Sequence, residues 1–202
     1  MKIYDISQEV LSCTVFPGDP SPKAEKLTCM EKGELYNLSA FSMCAHNGTH
    51  IDAPRHFIAN GKSIDALALT HFIGGAYVAE HQGVLSADDA ERIFCRARAC
   101  GADCEKRILI KGKAEVSLEA AKVFSSKNII LLGNESQTVG PENAPRPVHL
   151  ELLLANIALL EGVRLEQVPE GSYFLSAAPL NFVGFDGSPC RAVLIDALAK
   201  EI

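Results

Sequence analysis

Apolar residues in this chain gather in short runs between turn-forming residues, and their rhythm changes along its length. In the first half, Lys2–Ile6, Glu25–Met30, Leu38–Cys44 and Gly75–Ala79 are short β-favouring runs that read as strands joined by loops. The middle alternates. Ser86-Ala87-Asp88-Asp89 has the form of a capping box, with Asp where Glu or Gln is usual, and opens a helix to about Ala99. Arg107–Ile110 reads as a strand, Ser117 caps a helix to about Phe124, and Asn128–Leu132 is another buried strand. Strand-helix-strand alternation predicts an α/β domain with a partly parallel sheet covered by helices.

Beyond this point the pattern predicts one more helix and strand. Pro147 can stand in a first helical turn, and Leu150, Leu153 and Leu154 supply an apolar face. Asn156 tolerates the left-handed conformation that ends a helix. The apolar run Ile157–Leu160 then reads as a strand ended by Glu161-Gly162. On spacing alone, Glu161 is either a solvated strand-end residue or a buried carboxylate, and the second needs a partner cation or proton. The residues by themselves favour the first.

Composition narrows the class. The 202 residues are 48% hydrophobic and 22% charged, as in a soluble globular domain, and no linker-like shift divides them, so a single domain over 1–202 is expected. A formal net charge of −6 without a basic run predicts neither nucleic-acid nor membrane binding. The opening Met1–Asp5 lacks the apolar core of a signal peptide, and no apolar stretch is long enough to cross a bilayer. A cytoplasmic protein is expected. The seven cysteines are odd in number and dispersed, which reads as reduced thiols. Cys95, Cys100 and Cys104 lack Cys-x-x-Cys spacing, and Cys44 reads as a small packed residue.

The chemistry concentrates elsewhere. Of six histidines, three lie within His46-Asn47-Gly48-Thr49-His50-Ile51-Asp52-Ala53-Pro54-Arg55-His56. Imidazole nitrogens and a carboxylate are the donor set that Zn²⁺ or Mn²⁺ takes. His50 and Asp52 are two apart, so an extended backbone sends both to one face. Pro54 favours that extended form just upstream. Asn47-Gly48 argues for a turn that folds His46 back beside His50.

The segment His46-x-Gly48-Thr49-His50-x-Asp52-x-Pro54-x-His56-Phe57 resembles the defining motif of the cyclase family of metal-dependent hydrolases, which includes bacterial kynurenine formamidases and isatin hydrolases. Tyr4–Ser7, Phe16–Pro20, His149–Gly162 and Gly184–Val193 resemble its other blocks, so the likeness runs over most of the chain. It implies a swivelling β/β/α fold and a homo-oligomer, a dimer or higher. It also implies two divalent cations, zinc first and manganese second: one held by His46, His50 and Asp52, the other by Asp52, His149 and Glu161. His56 matches the family's catalytic histidine, with an orienting role as the alternative. Phe16 stands where arylformamidases carry an aromatic residue, and is either a substrate contact or ordinary core. The implied activity is hydrolysis of a non-peptide carbon–nitrogen bond in a small molecule, with N-formylkynurenine first; the alternatives are a cyclic amide or lactone, or a non-catalytic metal or small-ligand binding protein on the same fold. One loop departs from the kynurenine formamidase pattern: in Gly133–Gly140, Glu135 and Gly140 replace two aspartates.

Overall fold

The computed structural model describes residues 1–101 and 103–196. Among the described residues, thirteen strands and three α-helices follow one another. They are β1 Lys2–Asp5, β2 Lys23–Thr28, β3 Leu38–Ser42, β4 His50–Asp52, β5 Ile73–Glu80, β6 Gly83–Leu85, α1 Ala87–Ala99, β7 Arg107–Lys111, β8 Ala114–Val116, α2 Leu118–Ser126, β9 Leu131–Asn134, α3 Arg146–Leu154, β10 Ala158–Glu161, β11 Gly171–Ser176, β12 Gly187–Pro189 and β13 Val193–Asp196. Nine strands form one mixed sheet in the order β1-β13-β11-β5-β7-β9-β10-β4-β12. The four central strands β5, β7, β9 and β10 run parallel, because helical crossovers connect them. Antiparallel strands flank them on both sides. The chain is an α/β domain, with the partly parallel, helix-covered sheet that the alternation predicts.

Strand alternation sorts the core into two layers. On one face Ile108, Ile110, Leu132 and Leu159 pack against Ile93 of α1, Phe124 of α2 and Leu152 of α3. On the other, Val78, Leu109, Leu131 and Leu160 meet Ile64, Phe72 and Val163, which belong to the loops and turns that close that side. All of these side chains are essentially inaccessible to solvent. Removing any one large member costs about 2–5 kcal/mol.

Local signals behave as their chemistry dictates. The Ser86 side chain accepts from Asp89 N while the Asp89 carboxylate accepts from Ser86 N, so Asp serves the reciprocal cap. Asn156 adopts φ 58° after α3, and Asn128 does the same after α2 with φ 55°. The limits of the elements differ in places. The strand expected at Asn128–Leu132 begins only at Leu131, because the left-handed Asn128 turns the chain first. β2 and β3 do not join the main sheet; they form a separate antiparallel pair. Among the described residues, no helix is long and apolar enough to cross a membrane.

Candidate metal centre

Three residues of β4 set the centre. The strand lies between β10 and β12, antiparallel to both. Ile51 turns into the core, so His50 and Asp52 emerge together on the opposite face, as the two-residue spacing predicts. In the β4–β10 register His50 stands directly opposite Glu161, and facing residues of an antiparallel pair project to one side. Glu161 is therefore delivered by strand pairing across more than a hundred residues. It is 2% exposed, which removes the solvated strand-end reading. His149 arrives on α3, packed over this same face, with its side chain buried. The site lies at the C-terminal end of the parallel strand β10, where open α/β sheets bind ligands.

Asn47-Gly48 turns the chain as expected, with the left-handed position taken by Gly48 at φ 65°. His46 is thereby folded against His50, their ring centroids 5.2 Å apart and nearly perpendicular. His56 follows β4 on the short 3-10 turn Pro54–His56, which Pro54 opens. Its ring stacks on His46 at 3.9 Å.

Four imidazoles thus converge on two buried carboxylates. Asp52 Oδ1 lies 2.7 Å from His46 Nδ1 and 3.3 Å from His50 Nε2. Glu161 lies 3.5 Å from His50 Nε2 through Oε2 and 3.3 Å from His149 Nε2 through Oε1. Oε1 also accepts from Val139 N at 2.8 Å. Asp52 Oδ2 has no hydrogen-bond partner among the described residues, with His149 Nε2 and His56 Nε2 standing 3.6 and 3.9 Å away. A buried carboxylate oxygen left unpaired is costly unless a cation meets it.

The outer contacts choose the ring nitrogens. Nδ1 of His50 donates to the Gly48 carbonyl at 3.0 Å, and Nδ1 of His149 donates to the Pro145 carbonyl at 2.9 Å. A carbonyl only accepts, so each Nδ1 carries a proton and each Nε2 faces the carboxylates, the arrangement that orients histidine ligands. His46, His50 and Asp52 can converge on one cation, and Asp52, His149 and Glu161 on a second, with Asp52 common to both; a third group joins His46, His56 and Asp186. Three nitrogens and two carboxylates fit Zn²⁺ or Mn²⁺.

Electrostatics fit the crowding. Burial disfavours charged His46, but hydrogen bonds to Asp186 and Asp52 outweigh it and raise its pKa to about 10. Burial likewise opposes charge on His50, yet Asp52 and Glu161 push it up to about 9. Against its own burial, Asp52 is held well below the usual carboxylate range by His46 and His50. A cation entering here must displace these protons.

A cavity of about 490 Å³ opens onto the cluster. Phe16 lines it, together with Phe57, Phe185, Gln137 and Thr138. Cys44 lines it too, half-buried. The departures in the Gly133–Gly140 loop fall outside it. Glu135 turns away, accepting from Gly112 N at 2.5 Å and Leu165 N at 2.8 Å. At Gly140, a Cβ would stand 3.0 Å from Val148 Cβ, so close packing on α3 favours glycine there. The structure thus brings together all seven residues singled out from the sequence. It adds Asp186, whose Oδ2 lies 2.8 Å from His46 Nε2 and 3.2 Å from His56 Nδ1. Asp186 sits within a C-terminal stretch already noted for its resemblance, but no local spacing marks it as part of the site.

Comparison with known proteins agrees with this architecture. The Cyclase family profile matches residues 4–140, ending before His149 and Glu161. A kynurenine formamidase from Salinibacter ruber (strain DSM 13855 / M31) is 33% identical over 98% of this chain and 99% of its own. A solved structure described as a potential metal-dependent hydrolase with cyclase activity superposes with a TM-score of 0.80 at 27% identity, over 96% of each chain. An isatin hydrolase bound to the product analogue thioisatinate gives a TM-score of 0.81 at 19% identity, over 96% of this chain and 91% of that one, a likeness of fold alone.

Proposed function

Because the chain belongs to the Cyclase family of hydrolases, we propose that it hydrolyses a non-peptide carbon–nitrogen bond of a small molecule with two divalent cations, N-formylkynurenine being the leading substrate. His46, His50 and Asp52 hold one cation, while Asp52, His149 and Glu161 hold the other. The unpaired, buried Asp52 Oδ2 between His149 and His56 carries this reading, since a cation held by Asp52 would give that oxygen the partner it lacks. When bound, the cations lower the pKa of water from 15.7 to about 7 and polarise the substrate carbonyl. Zinc is the first expectation and manganese the second.

The chain's own groups supply the rest. His56 faces the cavity and can accept the proton of the attacking water, then pass it to the leaving nitrogen as the C–N bond breaks. Water and formamide thereby become amine and formate. Phe16, Phe57 and Phe185 offer apolar walls to an aromatic ring, and the cavity volume suits a ligand of that size. The same walls accept a fused cyclic amide such as isatin, which keeps that substrate as the second reading. Exposed Leu35, Tyr36 and Phe41, on and beside the β2–β3 hairpin, support a homodimer or higher oligomer. Light scattering on purified protein measures that state.

Elemental analysis coupled to turnover on N-formylkynurenine, isatin and a lactone tests the assignment. Two zinc or manganese ions per chain and formate release are expected. A metal-replete protein inert on all three substrates points instead to ligand binding without catalysis, and absence of stoichiometric metal overturns the centre itself.

A further inference from the structure

The geometry points to Asp186 as a positioning residue, which holds the Nδ1–H of His56 and so leaves Nε2 to exchange the substrate proton. This rests on the reading of His56 as the acid–base group. A carboxylate only accepts, so each ring nitrogen beside Asp186 Oδ2 is a donor. For His56 that nitrogen is Nδ1 at 3.2 Å, which places the lone pair of the neutral ring on Nε2, the atom facing Asp52 Oδ2. For His46 it is Nε2 at 2.8 Å, which leaves Nδ1 directed at Asp52 Oδ1. The same carboxylate meets both stacked rings, but His46 is also held by Asp52 Oδ1, so it is the tautomer of His56 that depends on Asp186.

The backbone holds Asp186 in place for this. Its carbonyl accepts from Ala53 N at 2.9 Å, and the preceding Phe185 carbonyl accepts from Ile64 N at 2.9 Å. Gly187 pairs with Asp52 across the strands, and a Cβ there would come within 2.5 Å of His46 Cε1. Glycine at 187 is what lets β12 bring Asp186 against both rings. The carboxylate itself stays 45% exposed, at the cavity lining, so burial is not what it contributes.

Nitrogen-15 histidine spectra of the zinc-loaded protein, joined to kinetics of Asp186→Asn, Asp186→Glu and His56→Ala, test the proposal. Wild-type His56 is expected with its proton on Nδ1, and Asp186→Asn is expected to mix the tautomers. That variant should lose about 10–100-fold in kcat, with KM nearly unchanged and zinc retained. Asp186→Glu should restore part of the rate, and in the His56→Ala background Asp186→Asn should cost little more. A wild-type His56 protonated on Nε2 overturns the proposal. So does zinc loss in Asp186→Asn, or a kcat loss that adds in full to that of His56→Ala. If His56→Ala keeps the wild-type rate, the acid–base reading falls, while the spectrum still decides what Asp186 holds. Should Asp186→Asn fail to fold by circular dichroism, the wild-type and Asp186→Glu spectra decide alone.

Discussion

Two regions of this molecule bury charge, and they treat it in opposite ways. At the start of β7, the Arg107 guanidinium is closed off by backbone. It donates to the carbonyls of His71 and Gly75 at 3.2 and 2.9 Å, and to that of Thr70. Gly74 makes room for it, since a Cβ there would lie 2.8 Å from the guanidinium carbon. Half-buried Glu135 is likewise satisfied by main chain, accepting from the Gly112 and Leu165 amides. Around Asp52, by contrast, side chains meet side chains, one carboxylate oxygen goes unpaired, and a cavity reaches the cluster. A charge satisfied by main chain is architecture, and a charge left open toward a cavity is available for chemistry.

Substitution at each region should sharpen that contrast. Asp52→Ala should give the largest change, removing both cations and reducing hydrolysis to the level of chelated enzyme. Leaving four rings around a single buried carboxylate should also cost the metal-free fold about 3–5 kcal/mol by chemical denaturation. Arg107→Met should destabilise by about 1–3 kcal/mol, since three carbonyls lose their donor. The folded fraction should nevertheless keep wild-type metal content and kcat. An Arg107→Met enzyme with altered kcat per folded molecule would erase the distinction.

The pH response should also separate the regions. In the metal-free protein, His46 and His50 are raised from 6.5 to about 10 and about 9, burial being outweighed by the carboxylates beside them. A raised histidine contributes stability fully below pH 6.5 and loses it as pH climbs through the folded value. Asp52, lowered from 3.8, contributes above that pH and loses its share as the medium turns more acidic. The Tm of chelated protein should therefore fall between pH 7 and about 10. Zinc binds the neutral rings, so the gap between loaded and chelated Tm should widen as pH rises from about 6 to 8. Scanning calorimetry with and without chelator measures both. The smallest effect is expected for Glu135→Gln. The amide oxygen still accepts one backbone bond, so stability should fall by about 1–2 kcal/mol with kcat unchanged.

Much of this was legible from local pattern. The Ser86 cap, the helix-ending Asn156 and the apolar strands appear where residue type and spacing place them. So does the shared face of His50 and Asp52, because a two-residue period needs nothing beyond an extended backbone. His149 and Glu161 were legible only through resemblance to a family, since neither stands out among its neighbours in the chain. Their meeting with β4 depends on the β10 register and on how α3 crosses the sheet. Within the Gly133–Gly140 loop, Gln137 and Thr138 line the cavity while Glu135 faces the other way, a division that the letters do not show.

What the amino-acid sequence determined alone is the donor set and its first local arrangement: nitrogen and carboxylate groups on a turn and a strand, in an acidic α/β domain. Backbone periodicity and residue chemistry act over a few positions, and those are visible in the letters. Which distant groups complete the cluster was decided by tertiary structure. Strand pairing sets Glu161 opposite His50, and the absent side chain at Gly187 admits Asp186 to His46 and His56. Those contacts span gaps of more than a hundred residues, where only the packed sheet and helix bring the atoms within reach.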